Sequence, residues 1–321
     1  LILAIDVGGT KVEAALVDAR GKIIAAERRA MVVERSAADG LGSVREAADA
    51  VLVRAPKSSV KGIGVSVPGW VETAKGKVLQ AANLPCWRDY PLAEKLQKIY
   101  GLAVRLENDA NAAGAAEAVW GAGRKYRRFF YVSLGTGIGT CMAYRTKDGW
   151  EFPASEGGHT TINFHGPLCP CGRRGCVEMY ASGKAIAREA KLRLSSGDAK
   201  AGPLKEMLQG NWESLKTEMV VMAFKRGDAL AEEILNDACD RLAVWLGNIL
   251  DILDPEALIF GGGLAGLFLA RRARIESALR DGASRPQAGK VKIVRARFGS
   301  QSALMGAAAL WLPAGPKIEA L

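Results

Sequence analysis

Three of the six cysteines and both histidines in this chain fall between Glu156 and Glu178, and no other stretch restricts the backbone so tightly. Glu156-Gly157-Gly158-His159 is followed by Cys169-Pro170-Cys171-Gly172-Arg173-Arg174-Gly175-Cys176-Val177-Glu178. Zn²⁺ takes thiolate and imidazole ligands in a tetrahedron, so His159, Cys169, Cys171 and Cys176 are candidates for a closed Cys₃His set. A closed set has no position left for substrate, which makes the expected zinc structural. Gly172 and Gly175 allow the tight turns that return Cys176 to Cys171, and Arg173 and Arg174 offset the thiolate charge. His165, three residues before Cys169, competes with His159 as fourth ligand. A disulfide is the rival reading; it is disfavoured because no secretory signal is visible and Cys86, Cys141 and Cys239 are scattered without motif spacing.

Composition narrows the class further. A chain of 321 residues, 49% hydrophobic and 24% charged, can bury a core of two domains. No apolar run is long enough to span a membrane and the sequence opens directly into a strand-like segment, so a cytoplasmic protein without a membrane partner is expected. The formal charge of +10 raises nucleic-acid binding as a possibility. The basic residues are largely dispersed in pairs, however, as in Arg28-Arg29, Arg127-Arg128 and Arg271-Arg272. Solvated faces and a field attractive to an anionic phosphate donor are the better account.

The apolar run from Leu1 to Val7 predicts a buried strand ending in Asp6-Val7-Gly8-Gly9-Thr10-Lys11, with further strands over Val12 to Val17 and Lys22 to Ala30. Gly8 and Gly9 would let backbone amides approach a phosphate, Thr10 and Lys11 would add hydroxyl and ammonium contacts, and Asp6 could hold Mg²⁺ there. Leu134-Gly135-Thr136-Gly137-Ile138-Gly139 repeats this strand, Gly/Thr turn, strand order between Phe129 and Tyr144. β-prone residues follow those glycines, which excludes the strand–glycines–helix context of a dinucleotide fingerprint. Helices are expected over Ala38 to Arg54, Pro91 to Tyr100, Ser182 to Leu194 and Asp228 to Leu253, and further strands over Lys61 to Val67, Leu102 to Leu106, Ala257 to Phe260 and Val291 to Phe298. A closing helix is expected over Gly299 to Leu312.

Glu107-Asn108-Asp109-Ala110-Asn111 leads from a strand into an Ala-rich helix. One helix cap needs one side chain, whereas four polar residues meet here, so a carboxylate among them is a candidate general base. Gly261-Gly262-Gly263, after another strand, offers amides at a strand-to-helix turn.

In this order, the motifs at Asp6, Glu107, Leu134, Glu156 to Glu178 and Phe260 resemble those of the ROK sugar kinases (repressors, open reading frames, kinases) over essentially the whole chain. The resemblance implies an actin-like ATPase, ribonuclease-H-like α/β fold with an interdomain active-site cleft between two domains: a small one of residues 1–110 with 300–321, and a large one of residues 111–299. It implies that Asp109 is the catalytic base for a sugar C6 hydroxyl. Asn83, Asn108, Glu156, His159, Glu178 and the backbone near Gly69 would bind the sugar, with His159 as the zinc ligand. Asp6, Gly8, Gly9, Thr10 and Lys11, with Gly135, Thr136, Gly137, Gly261, Gly262 and Gly263, would serve ATP and Mg²⁺. Homodimers or homotetramers are expected.

The implied activity is phosphorylation of a hexose by ATP, with glucose leading and N-acetylmannosamine, N-acetylglucosamine or fructose as rivals distinguished by the C2 substituent. A polyphosphate-using kinase is a further alternative, which the cysteine knot disfavours. A sugar-responsive transcriptional regulator of the same family is the reading from another class. It is disfavoured because no residues precede the first strand to form a helix-turn-helix.

Overall fold

A computed structural model describes residues 1–33, 36–153, 155–197, 200, 202–282, 284 and 290–312. Residues 313–321 of the expected small domain lie outside them. The chain divides into two compact units, one of Leu1–Tyr131, Cys141–Ser155 and Ala296–Leu321, the other of Val132–Thr140 and Glu156–Arg295.

The first unit is built on β1 (Ile2–Val7), β2 (Lys11–Val17), β3 (Ile23–Ala30), β4 (Ile63–Val67), the short strands β5 (Trp70–Glu72), β6 (Lys77–Gln80) and β7 (Arg88–Tyr90), and β8 (Val104–Asn108). The main sheet runs β3-β2-β1-β4-β8, and β5-β6-β7 form a small separate one. The first three strands pair antiparallel as a meander, and β4 and β8 join parallel. Both faces of β1 are buried, which is why its apolar run is continuous rather than alternating. Leu3, Ile5 and Val7 face a core shared with the helices Ala37–Leu52 and Leu92–Tyr100. The helix Ala37–Leu52 starts at a capping box in which Ser36 and Asp39 satisfy each other's backbone amides.

Ile2, Ala4, Ala15 and Val17 face the other way, towards the Ala-rich helices Asp109–Val119 and Ser302–Ala309. Small residues let these two helices and β4 approach closely. A methyl at Gly306 would stand 1.8 Å from the Ala112 carbonyl oxygen, and one at Gly64 equally near that of Ala307. This packing places the helix Asp109–Val119 with the first unit, although the sequence reading drew its border near 110.

The second sheet comprises β9 (Arg128–Leu134), β10 (Ile138–Thr146), β11 (Gly149–Glu151), β12 (Ala257–Gly261) and β13 (Lys292–Arg295), in the order β11-β10-β9-β12-β13. A meander of three strands followed by two more is the order of the first sheet, so the repeat legible at the Gly/Thr turns extends to whole sheets. The longest helix, Ala229–Leu253, is capped by Asp228, whose carboxylate also accepts the amides of Gly202 and Leu204. Asp254 ends it in the left-handed conformation. Among the described residues no helix is long and apolar enough to cross a membrane.

Two expectations shift. The last strand covers Lys292–Arg295 only, and the closing helix Ser302–Ala309 follows a 3₁₀ turn at Gly299–Gln301. The sheet β5-β6-β7 was not foreseen, because strands of three or four largely polar residues carry no period.

Gly306→Ala tests the close packing. Alanine gains up to about 1 kcal/mol of helix propensity over glycine, but a Cβ pressed on a backbone carbonyl must push the helices away from each other, an overpacking cost of about 1–3 kcal/mol. Net destabilisation in denaturant melts is the expected outcome; a stabilised variant would refute it.

Candidate functional site

In the first unit the polar residues form a row across the sheet. Arg28 on β3 stands opposite Glu13 on β2, Glu13 opposite Asp6 on β1, Asp6 beside Ser66 on β4, and Ser66 beside Glu107 on β8. By the two-residue alternation of strands, this row continues the face that carries Ile2 and Ala4, so the core face turns polar where β1, β4 and β8 end. Like charges opposite one another repel, and Glu13 is compensated by Arg28 at 2.9 Å and by Lys11 at 3.8 Å. Burial pushes the Asp6 carboxyl above its usual range, while a 2.5 Å hydrogen bond from the Ser66 hydroxyl and the Lys11 charge pull it down.

Beyond the row, the Gly8 amide donates to the Lys11 carbonyl at 2.8 Å and closes the first turn. Gly9 has no room for a side chain, since a Cβ would lie 2.7 Å from that of Asn83. Asn83 is exposed, as is Thr10.

Asn108 is the helix cap: its Oδ1 accepts the amides of Ala110 and Asn111, and its Nδ2 donates to the Gly69 carbonyl at 2.9 Å. The cap therefore fixes Gly69 and leaves Asp109, the first helical residue, half-buried beside it. Glu107 is buried and accepts the Asn108 amide at 2.8 Å. Burial pushes its carboxyl up to about 7, against the hydrogen bonds from Asn108, Asn111 and Thr73. The sequence reading noted Glu107 only as one of a polar cluster.

In the second unit, the Cys169 Sγ lies 3.5 Å from His159 Nδ1 and the Cys171 Sγ 3.6 Å from that of Cys176. All four donor atoms fall within 4.8 Å of one another. Tetrahedral Zn–S bonds of about 2.3 Å require sulfur separations of roughly 3.8 Å, so the set fits Zn²⁺. His165 is exposed and lies in tilted ring contact with Phe164, and His159 rather than His165 is the histidine grouped with the three thiols. With the thiols this crowded, burial and its two cysteine neighbours push Cys176 up to about 12; a divalent cation at the centre would reverse that preference.

Glu156 and Glu178 flank the cluster. Desolvation raises the Glu156 carboxyl, the His159 ring lowers it and the Glu178 charge raises it again. Glu178 Oε2 accepts the Ile138 amide at 2.8 Å.

Gly135, Thr136 and Gly263 line a cavity of about 910 Å³. The cations Lys184, Lys216 and Arg271 and the apolar Leu215, Met222 and Phe224 also line it, with the Arg271 guanidinium 4.2 Å above the Phe224 ring. None of these six was anticipated from the sequence, since they come from segments with no motif spacing. Gly262 lies in the left-handed region, where a Cβ would meet the Leu134 carbonyl at 2.4 Å, so it makes the turn that delivers Gly263. Gly261 ends β12 and is buried, and Gly137 backs onto Glu178.

The ROK family profile matches residues 2–314. A glucokinase from Streptomyces coelicolor is 30% identical over 317 residues, 97% of each chain. An N-acetylmannosamine kinase from Yersinia pseudotuberculosis is 32% identical, over 96% of this chain and 97% of its own. The crystal structure of a ROK family glucokinase from Streptomyces griseus in complex with glucose and AMPPNP aligns with a TM-score of 0.81 and 31% identity, covering 97% and 98% of the two chains. The actin-like fold inferred from the motifs is thus the fold of this chain.

Two outcomes follow. Elemental analysis of the purified protein is expected to give about one zinc per chain; a metal-free preparation that is fully folded and active would overturn the assignment. For Glu107, the folded carboxyl at about 7 holds its proton more tightly than the unfolded one at 4.5. Its contribution to stability is therefore full below pH 4.5 and is lost as pH rises to about 7, a change of about 3 kcal/mol. Urea melts at pH 5 and pH 8 should show this fall flattened in Glu107→Gln, and an unchanged slope would contradict it.

Proposed function

The chain belongs to the ROK family, and on that premise we propose that it is an ATP-dependent sugar kinase phosphorylating the C6 hydroxyl of a hexose, with glucose preferred. The observation that carries this reading is the helix cap at Asn108. It holds Asp109 at the head of a rigid helix and ties down the Gly69 carbonyl, leaving a carboxylate beside a fixed acceptor at the end of a polar row. The S. griseus glucokinase, solved with glucose and AMPPNP, supports the substrate classes through its likeness over 97% of this chain.

In the proposed reaction, Asp109 accepts the proton of the C6 hydroxyl as that oxygen attacks the γ-phosphorus. The new O–P bond forms, the bond to the β-bridging oxygen breaks, and ADP leaves. Asn83, Asn108, Glu156, His159 and Glu178, with backbone at Gly69, bind the sugar. Carboxylates suit this because each oxygen accepts from a sugar hydroxyl. His159 is the pivot: ligation through Nδ1 would fix its ring and leave Nε2 for the sugar.

Gly8, Gly9, Thr10 and Lys11 serve the ATP phosphates, and Asp6 would hold the Mg²⁺ that offsets their charge. In the second unit Gly135, Thr136 and Gly263 open onto the cavity, which is of a size and lining suited to a nucleoside. Gly137, Gly261 and Gly262 shape that wall from behind. Phosphoryl transfer asks for positioning and charge stabilisation rather than covalent help from the protein, and these groups supply both. Zinc in the Cys₃His set, assembly as a homodimer or homotetramer and work in the cytoplasm belong to the same proposal.

Identity does not rank the sugars, since the glucokinase at 30% and the N-acetylmannosamine kinase at 32% are equally near. The C2 substituent decides, through pocket shape.

Asp109→Asn tests the mechanism. General-base help contributes about 10²- to 10⁴-fold, so kcat should fall by that range while calorimetric sugar affinity changes only a few-fold. A variant that turns over like the parent would remove Asp109 from its role. Sugar binding by the unmodified protein with no ADP release on any hexose would instead point to a sugar-sensing regulator.

A further inference from the structure

The side chain of Glu178 is committed to a second element, the Gly135–Ile138 turn, in addition to any sugar. Its Oε2 accepts the Ile138 amide at 2.8 Å, and a Cβ at Gly137 would stand 2.5 Å from the same oxygen. Glycine at 137 therefore makes room for a carboxylate as well as for a phosphate.

The other end of the metal loop grips the same residue. Gly158, directly before the ligand His159, packs so near that a Cβ there would lie 2.0 Å from the Ile138 carbonyl oxygen. The Gly157 amide donates to the Thr140 hydroxyl at 2.9 Å. The two ends are tied together by the Val177 amide, which donates to the Thr160 carbonyl at 3.0 Å, and by the antiparallel bridge between Thr161 and Cys176. Glu178 thus stands two residues from the ligand Cys176, on a backbone that the cluster and these bonds hold in place. The far side of the turn is held by the Gly183 amide, which donates to the Gly135 carbonyl at 2.8 Å.

We infer that Glu178 is a positioning residue for the nucleotide: it is a strut through which the metal loop sets the Gly135–Ile138 turn in the conformation that receives the ATP phosphates. The inference rests on the kinase reading for the identity of the ligand, while the strut itself stands on the contacts to Ile138. A hydrogen-bond acceptor is what the strut requires, so glutamine can replace glutamate there, whereas alanine cannot.

The test measures MgADP affinity by calorimetry with no sugar present, which removes any sugar contact from the comparison. Glu178→Ala is expected to weaken MgADP about tenfold, the size of one hydrogen bond to a charged group. Glu178→Gln should stay within about threefold of the parent, because its carbonyl oxygen still accepts the Ile138 amide. Unchanged affinity in the alanine variant, or glutamine as weak as alanine, overturns the strut.

If the alanine variant fails to fold, hydrogen exchange in the parent decides. The Ile138 amide should be protected in the protein as purified and exchange faster once metal is stripped by a chelator, and equal rates overturn the inference. A parent protein that binds no MgADP would refute the kinase reading instead, and the exchange measurement would still judge the strut.

Discussion

Four donor atoms within 4.8 Å of one another gather in a segment with little apolar core of its own, crossed by backbone bonds such as Ile162 amide to Gly175 carbonyl. Between Glu156 and Cys176 the regular structure consists of one 3₁₀ turn and two isolated bridges, and Phe164 and Leu168 point into solvent. Such a loop cannot recover its ordering entropy from apolar burial. Coordination of the proposed zinc would supply what packing does not, since structural zinc sites contribute folding energy outright. In the proposed kinase, His159 and the carboxylates Glu156 and Glu178 would take their positions from that cluster together with the bonds to Ile138 and Thr140. The pairing of a ligand with a proposed sugar contact in one imidazole follows from economy of position, because a coordinated ring has no freedom left to misplace its second nitrogen.

The first unit reaches comparable rigidity by another route. Its polar row interrupts a sheet face that is otherwise core, and each member has a partner: Glu13 has Arg28 and Lys11, Asp6 has Ser66, and Glu107 has the Asn108 amide. Partly buried carboxylates cost free energy unless they are compensated. The row places that cost where the proposed chemistry needs acidic groups, at the ends of β1 and β8. The two alanine-rich helices below are packed to backbone contact at Gly306, so the floor of the row has little room to adjust.

Much of this was legible in the residues. Asp228 and Asp254 bounded the longest helix to within a residue, because a cap and a stop act locally. The duplicated Gly/Thr turns marked the first hairpin of each sheet, and the matching sheet order appears only in the structure. The cysteine spacing picked out the three thiols, and the resemblance chose His159 over His165. What escaped notice depends on contacts distant in sequence. The tie of Asn108 to Gly69, the burial of Glu107 and the opposition of Gly137 to Glu178 are products of register and packing. The cavity wall comes from the amphipathic helix Thr217–Lys225, which carries Met222 and Phe224, and from the helix junctions at Leu215 and Arg271, so no motif marks it.

A sugar kinase whose site stands on a metal-held loop should lose turnover with the metal. The most direct test follows ADP release from Mg·ATP with glucose, mannose, fructose, N-acetylglucosamine and N-acetylmannosamine, before metal removal by chelation, after it, and again after Zn²⁺ is restored. Release is expected to require a hexose, fall with the metal and return with Zn²⁺. Hexose-dependent release that is unaffected by complete removal of the metal would contradict it.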